Sequence, residues 1–96
     1  MSEGRIAPDV VCALERQYRF QWEPAQNCFV LLYPEGMIKL PGSAGEIMKR
    51  VDGKTTVTDI VRSLEQAFPG VELRQDVMDF LEVAYAKGWI RAGRTE

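Results

Sequence analysis

The side chains best equipped for chemistry in this chain are two cysteines, Cys12 and Cys28, and a pair of carboxylates, Asp76 and Asp79. The set is short because the sequence contains no histidine, the commonest general base and the commonest metal ligand. A Cys–His nucleophile cannot be assembled, and two cysteines far apart in sequence fall short of a zinc ligand set. No CxxC pair, phosphate-cradling glycine loop or GxSxG elbow occurs. Asp76 and Asp79 stand three residues apart, a spacing that on a helix more often marks a solvated face than a catalytic dyad. The cysteines read as small buried apolar residues or free thiols rather than redox centres. The chain is therefore expected not to be an enzyme and to need no metal or cofactor.

What remains is binding, and composition limits the partners. With 96 residues there is room for one domain and one core. Apolar residues make up 46% and charged residues 27%, a globular mixture far from disorder. A net charge of −2 gives no general attraction to nucleic acid. No apolar run reaches the length of a membrane span, and residues 1–5 lack the basic and apolar regions of a signal peptide. A reduced, cytoplasmic protein is expected, and Met1 fits a free-standing product.

The elements that would position a binding site follow from hydrophobic period. Residues 1–17 show scattered apolar positions (Ile6, Val10, Val11, Leu14) without a clean period, and Pro8 discourages an early helix. They read as an N-terminal arm that packs back on the domain or on a second copy, as a homodimer. Alternation then places Tyr18, Phe20 and Trp22 on one face of a strand. A turn-rich break at 23–27 leads to Cys28–Tyr33, apolar on both faces and so the central strand. Pro34-Glu35-Gly36 turns the chain into a short third strand, Met37–Leu40, ended by Pro41-Gly42. Ser43 and Glu46 fit a capping box for a first helix whose buried positions are Ile47, Met48 and Val51. Thr56 and Asp59 fit a second, opening a helix with an apolar stripe of Val57, Ile60, Val61, Leu64 and Phe68, stopped by Pro69-Gly70. A third helix runs from Leu73 or Arg74 to Lys87, with Gly88 as its stop. Trp22, Trp89 and Ile90 are expected to complete the core, and 92–96 to fray as a tail. The expected fold is α+β and winged-helix-like: an N-terminal three-stranded antiparallel β-meander followed by a three-helix bundle, with the domain proper at 18–91.

One consequence bears on function. If the second strand is central, the first and third are edges with unpaired backbone groups. Met37, Ile38, Lys39 and Leu40 could accept an added strand, or could be a merely blunted edge with Lys39 as gatekeeper. The pattern leaves open whether Met37 and Lys39 or Ile38 and Leu40 point inward. On the third helix Val77, Phe80, Leu81 and Ala84 form the core sector. One flank carries Asp76, Asp79, Val83 and Lys87; the other carries Arg74, Met78 and Tyr85. The first offers an apolar floor and a polar rim next to Phe80, the composition of a groove. The opposite flank, with its adaptable Met78, is a rival.

Leu31-Leu32-Tyr33-Pro34-Glu35-Gly36-Met37-Ile38-Lys39-Leu40 carries a resemblance. It extends through Ser43-Ala44, Glu46-Ile47, Val51-Asp52-Gly53, Thr56-Val57, Ile60-Val61, Asp76-Val77 and Phe80-Leu81 to Gly88-Trp89-Ile90. In this ordered set, with its spacings, the chain resembles the PqqD family, founding type of the precursor-peptide recognition elements of ribosomally made, modified peptides (RiPPs). One departure is Pro41-Gly42, where many relatives are expected to carry Asn, which touches only the local turn. The resemblance implies a peptide chaperone of pyrroloquinoline quinone (PQQ) biosynthesis that binds the precursor PqqA and presents it to the radical SAM enzyme PqqE. It implies that the leader adds as a strand beside the third strand and rests against the third helix. Taken with the first flank of that helix, the candidate site is Met37, Ile38, Lys39 and Leu40 with Asp76, Val77, Asp79, Phe80 and Val83.

Two rivals stand beside it. A recognition module of a different RiPP or radical SAM system would share the fold. A winged-helix DNA-binding domain is disfavoured by charge: residues 73–88 carry Arg74 and Lys87 against Asp76, Asp79 and Glu82, and the second helix is also net negative.

Overall fold

A computed structural model describes residues 6–93. Eight elements follow one another: β1 (Val11–Leu14), β2 (Arg19–Glu23), β3 (Cys28–Tyr33), β4 (Gly36–Leu40), α1 (Ser43–Lys49), α2 (Val57–Ala67), α3 (Arg74–Ala86) and β5 (Ile90–Gly93). The strands expected from alternation are β2, β3 and β4, an antiparallel sheet in the order β2-β3-β4. The continuously apolar run is the central strand, as a strand covered on both sides must be. Its Val30 and Leu31 are both fully buried.

Register fixes the faces. Phe29 pairs with Leu40 and Leu31 with Ile38, while across the other ladder Phe20 pairs with Leu31 and Trp22 with Phe29. Directly opposed residues share a face, so Phe20, Trp22, Phe29, Leu31, Ile38 and Leu40 form the face that meets the helices. Met37 and Lys39 point away from them, beside Leu32 and Val30. The ambiguity of the third meander strand is thereby resolved: Ile38 and Leu40 are the inward pair.

The helices close over this face. Leu31 and Leu40 join Ile47 and Met48 of α1, Val57, Ile60, Val61 and Leu64 of α2, and Val77, Leu81 and Ala84 of α3 in one buried cluster. Gly45 lets α1 approach: a Cβ there would lie 2.7 Å from the Leu40 carbonyl oxygen and 2.9 Å from Phe29 Cδ2. Gly45→Ala is therefore expected to destabilise the domain by ~1 kcal/mol or more. The overpacking strain of ~1–3 kcal/mol exceeds the helix-propensity gain, and the midpoint of urea denaturation checks it.

The helix starts differ from each other. Thr56 caps α2 as expected, its hydroxyl accepting from the Asp59 amide at 3.2 Å. Ahead of it Asp52 closes a tight turn, accepting from the Lys54 and Thr55 amides at 2.9 and 2.8 Å. Those backbone bonds hold its carboxyl below the usual range. The capping box expected at Ser43 does not form. Ser43 is already helical, the N-cap is Gly42, and no side chain caps α1. Glu46 instead meets Arg50 at 3.0 Å, one turn along. Gly42 has φ 60 and ψ −133, a conformation open to glycine.

The largest difference from the sequence reading lies at the chain ends. The stretch expected as an arm is part of the core: Ile6, Val10, Val11 and Cys12 are buried, and β1 pairs antiparallel with β5, Val11 opposite Gly93 and Leu14 opposite Ile90. Ala92 and Gly93, expected in a frayed tail, are members of that ladder. Packing back on its own domain is thus the arrangement the arm takes. Pro8 does not leave the segment loose, because its carbonyl accepts from both the amide and the hydroxyl of Thr58, each at 3.0 Å. Residues 1–5 and 94–96 lie outside the described residues.

Candidate functional site

The sheet ends at β4, whose outer edge has no strand beside it among the described residues. In an antiparallel ladder, successive backbone groups point alternately to the partner strand and away. The outward N–H and C=O groups of Gly36–Leu40 therefore form a short row open to an added strand. Of the side chains here, Leu40 is buried, Ile38 half-buried on the helix face, and Met37 and Lys39 exposed on the other face. An added strand would place alternate side chains toward the helices, next to Ile38 and Leu40, and toward solvent, next to Met37 and Lys39.

On α3 the two flanks are not equivalent. Met78 and Tyr85 pack against the core and the Glu82 carboxylate accepts the Ile6 amide at 3.1 Å, so most of that side is covered, with Arg74 exposed at its start. The flank with Asp76, Asp79 and Val83 is exposed, Val83 to 46%. Phe80, between that flank and the core, is half-buried with its ring 6.4 Å from Trp89. Asp79 accepts from Gln75 Nε2 at 2.8 Å, while Asp76 has no hydrogen-bond or ion-pair partner among the described residues. The two carboxylates make a solvated surface with no shared partner.

Leu40, Asp76 and Val77 come together in the wall of one apolar cavity of about 560 Å³. Met37, Ile38, Lys39, Asp79, Phe80 and Val83 lie outside that wall. The cavity also takes in residues the sequence reading missed. Trp22 was expected in the core but is 48% exposed at the end of β2, set edge-on against Phe29 at 5.1 Å. Phe68 was expected on the buried stripe of α2, yet the helix stops at Ala67 and the ring stands exposed at its C-cap. Val71, just past Pro69-Gly70, is exposed as well. Large apolar residues flanking a Pro-Gly turn were the available signal, since a helix stripe cannot continue through such a break.

Of the two cysteines, only Cys28 lies in the cavity wall. Cys12 is buried, and burial, with the Glu82 carboxylate adding to it, pushes its thiol up to about 11, where thiolate is scarce at neutral pH. Cys28 is also buried and unpaired. Among the described residues no cluster of acidic, cysteine or histidine side chains could hold a metal ion, and no helix is long and apolar enough to cross a membrane.

Comparison with known proteins adds to this geometry. The family model described as coenzyme PQQ synthesis protein D (PqqD) matches residues 28–90. A PqqA binding protein of Pseudomonas paraeruginosa is 57% identical over 83 residues, covering 85% of this chain and 90% of that protein. One from Acinetobacter baumannii is 47% identical over 91 residues, covering 94% and 97%. Among solved structures, the PqqD truncation of Methylobacterium extorquens PqqCD superimposes with a TM-score of 0.76 at 27% identity. It covers 90% of this chain and 94% of that one, and is described as a functional and stand-alone RiPP recognition element.

Proposed function

The chain belongs to the PqqD family, and from that premise we propose that it binds the precursor peptide PqqA in PQQ synthesis as a chaperone without catalysis of its own, presenting it to the radical SAM enzyme PqqE. The leader adds as a strand along the outer edge of β4 and rests against the Asp76–Phe80–Val83 flank of α3. The observation that supports this most is the pairing of two vacancies. β4 has an open edge among the described residues, and the exposed Asp76–Val83 flank of α3 combines an apolar floor with an acidic rim. Main-chain bonds to β4 would supply affinity, and alternate side chains against Ile38, Leu40 and Phe80 would supply selectivity. Nucleic acid fits this surface poorly, because Asp76 and Asp79 face outward where phosphates would have to approach.

The test is titration of isotope-labelled protein with synthetic PqqA. Amide shifts are expected at Met37, Ile38, Lys39 and Leu40 and at Asp76, Val77, Asp79, Phe80 and Val83. Shifts confined to the outer edge of β2 would move the site, and no binding at roughly micromolar concentrations would remove the function.

A further inference from the structure

Three of the five large apolar side chains left exposed among the described residues, Trp22, Phe68 and Val71, line the same cavity. They arrive from the end of β2, the C-cap of α2 and the turn before α3, so no single element's packing explains their convergence. Isolated exposed apolar residues are ordinary, but a contiguous concave group of them marks a binding surface.

We propose that this cavity receives a bulky apolar side chain of the same precursor peptide, carried on the residues just beyond the stretch paired with β4, and that Asp76 at its rim meets a neighbouring lysine or arginine. This rests on the reading of β4 as the pairing edge. Continuity along the strand assigns the occupant. Leu40 is both the last residue of β4 and part of the cavity wall. An extended chain advances ~3.3 Å per residue, so a peptide paired to the end of β4 reaches the cavity mouth within one or two further residues. Only alternate residues of that extension can turn inward, which restricts the cavity to one or two anchoring side chains. Charge restricts them further. Glu46, also in the wall, is engaged by Arg50 at 3.0 Å, whereas Asp76 has no ionic partner among the described residues. The carboxylate free to meet the incoming peptide is therefore the one beside α3.

The test uses Trp22→Ser, Phe68→Ser and the double variant, with Val71→Ser as the alternative should the double variant fold poorly. All three side chains are already exposed, so each single change is expected to leave thermal unfolding close to that of the parent. Titrated with synthetic PqqA, the double variant should bind about tenfold more weakly or worse, while the amide shifts at Met37–Leu40 reach the parent pattern at saturation. Alanine replacement of one large apolar residue of the peptide should weaken binding to the parent protein and have little further effect on the double variant. A dissociation constant within about twofold of the parent's, with β4 shifts intact, would overturn the cavity's role. So would sedimentation showing a parent dimer that the double variant abolishes, since the occupant would then be a second copy. Absence of β4 shifts in the parent protein is a separate result, and it removes the underlying mode of binding instead.

Discussion

Proline at one of two adjacent positions in β4 is expected to weaken PqqA binding at least about tenfold while leaving the domain folded. The argument rests on alternation. Ile38 and Lys39 are consecutive, so one donates its amide to β3 and the other presents it outward. Proline at the inward position removes a ladder bond and should destabilise the sheet. At the outward position it removes only the donor an added strand would use, and its ring obstructs that strand's approach. The two side chains sharpen the comparison: Lys39 is exposed on the face away from the helices, so its loss costs no core packing, whereas Ile38 is half-buried on the helix face. Ile38→Pro and Lys39→Pro are to be compared by chemical denaturation and by titration with synthetic PqqA. Normal peptide binding by the variant that keeps its fold would show that β4 is a blunted edge and not a docking edge.

Much of this arrangement was legible in the sequence because it is written locally. The alternation of Tyr18, Phe20 and Trp22, the apolar run Cys28–Tyr33 and the Pro-Glu-Gly turn specify β2, β3 and β4 within short windows. The three- and four-residue spacings of Val57, Ile60, Val61 and Leu64 and of Val77, Leu81 and Ala84 specify α2 and α3. The inward pair of β4 was not legible, because Met37 is as apolar as Ile38. Only the cross-strand partners Leu31 and Phe29 decide it.

Other features depend on contacts between distant parts of the chain. β1 and β5 are four residues each and pair the two ends of the domain, so neither shows a period and their pairing has no local signature. The bond from the Ile6 amide to Glu82, on one side of α3, is a contact no helical wheel contains. Trp22 was placed on the correct apolar face and Phe68 on a helical stripe that ends before it, and burial also requires a neighbour to cover them. Trp22 lies at the end of an edge strand, and Phe68 lies past the last turn of its helix.

The chain end woven into the core supplies the other large effect. Val10→Asp is expected to destabilise the domain by at least about 3 kcal/mol, a substantial part of the ~5–15 kcal/mol that holds a domain of this size together. Val10 is almost completely buried, within the cluster that includes Leu31, Ile60 and Leu81. Its amide donates to the Ala7 carbonyl at 3.0 Å, and its carbonyl accepts from Val57 at 2.9 Å. The backbone bonds hold the side chain where it is, so the new carboxylate cannot easily turn out to water. Burial would raise its pKa in the folded state. The penalty is therefore smallest at acidic pH, where both states are protonated and only the lost packing and the burial of a neutral carboxyl remain. It grows as pH rises above the unfolded value of about 4, and it levels off above the raised folded value. Val10→Ala, which makes only a void, should cost ~1–3 kcal/mol with no such pH dependence. A free arm would tolerate either change to within about 0.5 kcal/mol. Denaturation midpoints at acidic and neutral pH separate the two cases, and a neutral outcome for Val10→Asp would return residues 6–14 to the status of an appendage.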